Sequence, residues 1–169
     1  MPPEPSPVSS RPEMPGYGIL GPDQGSGLMP WSWARQQLSE SRNYWVCTVR
    51  PDGRPHVMPV WGVWDADELW FSSGLRSRKA LNLAHDPRCT VATQDPENPV
   101  VVEGSASVVS EPERLARFTA ASNAKYETDY PVSFYDPAVN GVYVVAPRWA
   151  FGLRHEDFAG SPTRWRFDG

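Results

Sequence analysis

Between Asn43 and Ser72 the chain reads as short alternating runs cut by turns, and this pattern restricts the possible folds more than any other feature. Trp45, Cys47 and Val49 alternate with polar partners, the period-2 signature of a half-buried strand. Pro51-Asp52-Gly53 turns the chain into residues 55–64, and Asp65-Ala66-Asp67 turns it again into Leu69-Trp70-Phe71-Ser72, with residue types that favour turn backbones. Residues 89–94 and 100–109 read as two further strands, and 142–146, 149–153 and 163–167 as short closing strands. Three helices interrupt the run. One begins after Pro30 with Trp31, Ala34 and Leu38 on one face; one follows Ser77 and stops before Asp86-Pro87. The third opens at Ser110-Glu111-Pro112-Glu113, a capping box with a proline in its first turn, and carries a Leu115, Phe118, Ala121 stripe. Six or more strands in a meander with isolated helices predict a mainly β (α+β) fold closed as a small antiparallel barrel, because closure removes the edges such strands would expose. Pro59, mid-strand, cannot donate to a ladder and should face an edge or a gap, which could hold a planar ligand.

Composition bounds the function. With 169 residues the chain can bury a core as one domain. Residues 1–30 hold 8 of the 19 prolines and 5 of the 13 glycines, an arm that cannot build a core of its own and is either mobile or laid against another surface; residues 31–169 form the folded domain. A net charge of −4 and a pI near 5.4 speak against general nucleic-acid binding, which needs a basic surface. Nothing approaches the roughly 20 apolar residues of a membrane span. Cys47 and Cys89 lie inside apolar runs and the start of the chain lacks a signal-peptide layout, so a cytoplasmic setting is expected. His56, His85 and His155 have no ligand spacing with the cysteines, and no metal is expected.

Against this acidic background one basic cluster stands out. Ser77 is a natural N-cap, so Arg78 and Lys79 fall in the first helical turn, where the unpaired N–H groups and the macrodipole already make the helix end positive. An anion there reverses the sign. A phosphate or carboxylate held by the N–H groups, the Ser72, Ser73 and Ser77 hydroxyls and the Arg76, Arg78 and Lys79 side chains would satisfy the cluster together; otherwise the cations simply bend back into water.

The run His56-Val57-Met58-Pro59-Val60-Trp61-Gly62, the strand ending Trp70-Phe71-Ser72-Ser73, and Arg76-Ser77-Arg78-Lys79-Ala80-Leu81-Asn82-Leu83 followed by Asp86-Pro87-Arg88 resemble the core of the split β-barrel flavin and deazaflavin oxidoreductases, the superfamily of pyridoxamine 5′-phosphate oxidase. The resemblance runs from about Trp33 to Trp165. It implies a split barrel with flanking helices, a Ser-Arg-Lys helix start that holds the cofactor phosphate, second and third strands that line the ring, and two identical subunits enclosing the cofactor. Carried onto this chain, the cofactor-binding residues are Arg54, His56, Met58, Pro59, Val60, Trp61, Ser72, Ser73, Arg76, Ser77, Arg78, Lys79 and Asn82.

The departures select a branch. The oxidase carries an Arg-x-x-x-x-Lys pattern on its second strand, and counting back from the third strand puts His56 and Trp61 at those positions. It also ends in an Arg-Leu-x-Pro segment that grips pyridoxamine, whereas this chain ends Arg164-Trp165-Arg166-Phe167-Asp168-Gly169. The start at Asn43 and the Thr163-Arg164-Trp165-Arg166-Phe167 ending resemble instead the actinobacterial branch that uses coenzyme F-420, a deazaflavin with a phosphate and an oligoglutamate tail for which Arg54, Arg76, Arg78 and Lys79 offer sites. The resemblance implies hydride transfer between reduced F-420 and a small planar unsaturated acceptor. An FMN protein of the same fold and a non-catalytic deazaflavin carrier are the alternatives. No catalytic residue is assigned; His56 and Tyr126 are candidate proton donors.

Overall fold

The computed structural model describes residues 6–167; residues 1–5 of the expected arm and 168–169 of the expected domain lie outside it. In chain order the elements are β1 (Val8–Ser10), α1 (Trp31–Glu40), β2 (Asn43–Val49), β3 (Pro55–Trp61), β4 (Val63–Asp65), β5 (Glu68–Gly74), α2 (Arg78–His85), β6 (Arg88–Thr93), β7 (Val100–Val109), α3 (Pro112–Tyr126), β8 (Asn140–Gly152) and β9 (Thr163–Arg166). All the strand pairings are antiparallel. The sheet runs β1-β9-β8-β7-β6-β2-β3, with β5 bridging β8 and β4. Mainly antiparallel strands with three helices make this an α+β split barrel.

The split has a local cause. Residues 55–64, one strand on the sequence pattern, break at Gly62: β3 pairs with β2, whereas β4 pairs with β5. A side chain at Gly62 would press on the Tyr44 ring at 2.9 Å and the Trp70 carbonyl at 3.1 Å, so only glycine passes through this crossing. Helix α3 fixes it from outside. The Gly62 N–H donates to the Tyr126 hydroxyl at 2.7 Å, and the Gly62 carbonyl accepts from Lys125 Nζ at 2.8 Å. Beyond the crossing the outer edge of β3 pairs with no strand among the described residues, and a slit opens between β3 and the Phe71–Gly74 half of β5.

The core follows from alternation. Tyr44, Val46, Leu69, Phe71, Val91, Val100, Val102 and Val145 are fully buried inside the barrel, and Trp31, Ala34 and Leu38 of α1 close one end of it. A second cluster, Trp70, Val109, Leu115, Phe118, Tyr135, Val142 and Val144, seats α3 on the opposite face of β5 and β8.

Three sequence expectations change. The closing strands at 142–146 and 149–153 are one strand, β8, which continues through Pro147 because the ladder shifts register opposite Glu103 and Gly104; a bulge there absorbs the missing proline N–H. The Ser110 capping box does not form: Pro112 takes the first helical position, which makes extended Glu111 the N-cap. The arm is laid against the chain's own surface. Its β1 pairs with β9, and the Arg11 guanidinium donates to the carbonyls of Gly21, Gln24, Gly160 and Pro162.

The bulge gives the first prediction. A methyl group on Gly104 would collide with the Ala146 carbonyl and approach Pro147 Cα at 3.2 Å, backbone atoms that cannot step aside. Gly104→Ala should cost about 1–3 kcal/mol or more in a urea unfolding titration; an unchanged midpoint would mean that the two strands are not so closely apposed.

Candidate functional site

Helix α2 begins as its residues dictate. Ser77 is extended, with φ −66° and ψ 153°, and its hydroxyl accepts from the Ala80 N–H at 3.2 Å, so Arg78 and Lys79 occupy the first turn with no acidic neighbour there. Ser73, at the end of β5, meets this cap: its hydroxyl lies 2.7 Å from that of Ser77, and Lys79 Nζ donates to it at 3.2 Å. Burial pushes the Lys79 amine below its usual value. Arg76 and Arg78 are exposed, and neither is paired with a carboxylate among the described residues.

The inner face of β3 supplies the facing wall. Across the β2–β3 ladder His56 stands opposite Thr48, Met58 opposite Val46 and Val60 opposite Tyr44, so these three point to the barrel side. Val60 is buried, yet Met58 is 45% exposed on that same face, on the strand that ends the sheet order. Asn82 of α2, wholly buried, donates through Nδ2 to Thr48 Oγ1 at 3.0 Å and ties the helix to β2, opposite His56. Burial first, then the positive charges of Arg50, Lys79 and Arg78, push the His56 imidazole below its ordinary value. His56 Nδ1 and Asn82 Oδ1 are buried without a hydrogen-bond partner among the described residues, an under-satisfaction that costs about 1–3 kcal/mol per group.

The structure joins Ser73, Ser77 and Lys79 directly, puts His56 within reach of the Lys79 charge and opposite the Thr48 that Asn82 holds, and continues the same face of β3 through Met58 and Val60. The other expected residues stand apart. Ser72 lies on the opposite face of β5 from Ser73, beside Trp70. Pro59 and Trp61 face outward with Trp45 and Val57, although Pro59 does sit on the unpaired edge that its missing N–H requires. Arg54 is an exposed turn residue whose guanidinium pairs with Asp52 at 2.8 Å. Arg50, which sequence reasoning passed over, is the basic residue from this turn whose charge reaches His56. Only the hairpin register reveals it. Tyr126, a candidate proton donor, is committed elsewhere, accepting from Gly62 and donating to the Arg42 carbonyl at 2.5 Å.

The Ser73–Ser77–Lys79 cluster offers what an anion needs: hydroxyl donors, an ammonium and a helix N-terminus. The apolar slit beside it suits a flat ring. These residues fit a ligand that joins a phosphate to a ring system. A separate concavity of about 610 Å³ lies outside the barrel between Cys47, Arg88, Gly104 and Arg148. It is chemically quieter, since Arg88 is tied to Asp86 and burial pushes the Cys89 thiol up to about 12. Among the described residues no group of three His, Cys, Asp or Glu side chains converges to hold a metal ion, and no helix is long and apolar enough to cross a membrane.

Comparison with known proteins agrees with this fold. The family model described as pyridoxamine 5′-phosphate oxidase matches residues 33–152, well over half of the chain, and the protein belongs to that family. A conserved hypothetical protein from Mycobacterium tuberculosis is similar in structure, with a TM-score of 0.66 and 26% identity over 76% of this chain and 87% of the other. A structure described as an F420 reductase has a TM-score of 0.56 and 26% identity, covering 67% and 91%. A pyridoxamine 5′-phosphate oxidase homologue from Listeria innocua shares the fold at 17% identity and TM-score 0.58, covering 72% and 96%. No curated protein sequence matches.

The electrostatics predict a titration. Lys79→Ala removes one of the charges that lower the His56 pKa, so that pKa should rise towards its ordinary value; added inorganic phosphate should raise it in the wild type by supplying a counter-charge. Binding of an anion then takes up a proton, and affinity should increase as pH falls from the His56 pKa of the complex towards that of the free protein. NMR of the imidazole protons reads both. A His56 titration indifferent to Lys79 and to phosphate would separate the two residues.

Proposed function

We propose that this protein is an oxidoreductase that transfers hydride between reduced coenzyme F-420 and a small planar unsaturated acceptor. The observation that carries this reading is the Ser73–Ser77–Lys79 cluster at the start of α2, whose charge reaches His56 on the strand that carries Met58. The likeness to a structure described as an F420 reductase supports the choice within the family, as does the lack of a permanent cation at His56 and Trp61.

The residues divide the work. Ser73, Ser77 and Lys79 would hold the phosphate; Arg76 and Arg78, exposed beside them, would meet the acidic tail. The barrel-side face of β3 would hold the ring and exclude water from it. When bound, the deazaflavin would supply the hydride for a conjugated carbon of the acceptor, and a proton would complete the reduction. Placement of the acceptor is then the protein's main contribution.

We also propose that two copies of the chain enclose the cofactor. Trp45, Val49, Val57 and Trp61 are each about half exposed on the outer face of β2 and β3, a run of apolar side chains on an edge hairpin that a second subunit would cover. Light scattering of the cofactor-bound protein should give twice the chain mass; a monomer at micromolar concentration would exclude a shared site.

Two titrations test the cofactor assignment. Lys79→Ala should weaken cofactor binding by about 1.5–3 kcal/mol, the range for a charge-assisted hydrogen bond, and leave thermal stability unchanged. Wild-type protein should bind F-420 at least tenfold more tightly than FMN, about 1.4 kcal/mol, with the margin shrinking as salt screens the tail contacts. Equal or tighter FMN binding at low salt would move the protein to flavin chemistry, and an unchanged dissociation constant would remove Lys79 from the site.

A further inference from the structure

Four tyrosines are buried among the described residues, Tyr44, Tyr126, Tyr135 and Tyr143, and three of them use their hydroxyls inside the protein. Tyr44 donates to the Leu38 carbonyl, Tyr126 donates to the Arg42 carbonyl, and the Tyr135 hydroxyl reaches that of Ser122 at 3.5 Å. Tyr143, on β8, is the exception. It is 4% exposed, yet its hydroxyl has no hydrogen-bond partner among the described residues, and unlike His56 Nδ1 and Asn82 Oδ1 it is not sealed from solvent. The ring itself is well held. It stacks on Phe71 across the β5–β8 ladder, with centroids 5.3 Å apart and planes 14° from parallel. A phenylalanine would fill the same space with no polar group to satisfy, so the hydroxyl calls for a partner that the folded chain does not supply.

The lean of the ring shows on which side that partner belongs. Gly141, on the same face of β8 as Tyr143, pairs with Ser73 of β5. A methyl group on Gly141 would meet Tyr143 Cε2 at 2.8 Å and Cζ, the carbon that bears the hydroxyl, at 3.1 Å. The phenol therefore lies along β8 over Gly141, towards the rung that carries Ser73, whose own hydroxyl meets Ser77 and Lys79. No hydrogen bond joins the Tyr143 and Ser73 hydroxyls, so each can turn to a common acceptor. Burial pushes the phenol above its ordinary value, so it keeps its proton and stays a donor at physiological pH. We infer that Tyr143 is a further phosphate-binding residue, whose hydroxyl closes the Ser73–Ser77–Lys79 cluster from β8, and that Gly141 is the positioning residue that leaves room for its ring. This rests on the phosphate role proposed for the cluster and adds to it a donor from a third element, on the side away from α2.

The test uses the full-length protein, with inorganic phosphate as the first probe and F-420 as the second. Calorimetry gives both dissociation constants, and carbon NMR of tyrosine labelled at Cζ reads the phenol itself. Tyr143→Phe removes the hydroxyl and keeps the stack on Phe71. It should weaken phosphate and F-420 binding by about tenfold or more, the lower end for a hydrogen bond to a charged group, and leave the thermal midpoint of the ligand-free protein unchanged. Gly141→Ala should push the ring aside and produce a similar loss, with no further loss in the double variant, because both changes remove the same interaction. In the wild type, phosphate should move the Tyr143 Cζ resonance; in Lys79→Ala the same concentration should move it far less. That resonance is read on unaltered protein, so it decides the matter however the variants fold. Phosphate bound as tightly by Tyr143→Phe as by the wild type, or a Tyr143 resonance indifferent to phosphate, would overturn the inference. F-420 bound equally by wild type and Tyr143→Phe would remove Tyr143 from the site and leave the cofactor assignment standing. Failure of the wild type to bind F-420, with phosphate affinity still dependent on Tyr143, would support the inference and count against the cofactor assignment alone.

Discussion

Two side chains of α3 hold the backbone of Gly62, and the opening of the barrel depends on that grip. Lys125 donates to the carbonyls of Gly62 and Ser41 and to the Tyr44 hydroxyl, at 2.8, 2.6 and 2.9 Å. Tyr126 takes the Gly62 N–H. With both polar groups of Gly62 claimed from outside the sheet, the strand cannot run straight on: β3 stays with β2 while β4 crosses to β5. The edge of β3 is left bare. Burial, then the nearby charge of Arg42, push the Lys125 amine down to about 8, so the clamp places an ammonium where water is scarce and satisfies it with three oxygens. The same clamp also orients Trp61, on the outward face of the hairpin, through its stack on Tyr126.

At the other end of the slit the balance is electrostatic. Arg50, Arg78 and Lys79 bear on His56, and the α2 N-terminus adds the partial charge of its free N–H groups. Among the described residues the nearest cations carry no carboxylate partner of the kind that Arg54 finds in Asp52 or Arg88 in Asp86. Elsewhere on the surface carboxylate partners come from near and far along the chain, as Arg35 finds Asp67 and Arg117 finds Asp65.

What the sequence discloses is what is local. Ser77, Arg78 and Lys79 define their helix start through neighbours three residues apart, and Ser77 is the N-cap of a helix that begins at Arg78. The Pro51-Asp52-Gly53 turn likewise fixes the β2–β3 register, with Gly53 at φ +85°. The split is not local, since Lys125 and Tyr126 act on Gly62 from 63 and 64 residues away. A single sequence carries no signal for that. Alternation was legible in principle but needed the true strand ends: the shift of one residue between Ser72 and Ser73 decides which hydroxyl meets Lys79. Pro147 misleads for a similar reason, because a proline ends a strand unless glycine opposite makes room for a bulge. The arm, rich in proline and glycine, gave no hint that Val8–Ser10 would extend the sheet beside β9.

A structure of the protein with coenzyme F-420 tests the central claim most directly. The phosphate should lie within hydrogen-bond distance of Ser73, Ser77 and Lys79, with the ring along the barrel-side face of β3 and Gly62 still held by Lys125 and Tyr126. A cofactor found instead in the outer concavity between Cys47, Arg88 and Arg148, with the slit closed by side chains, would contradict the account.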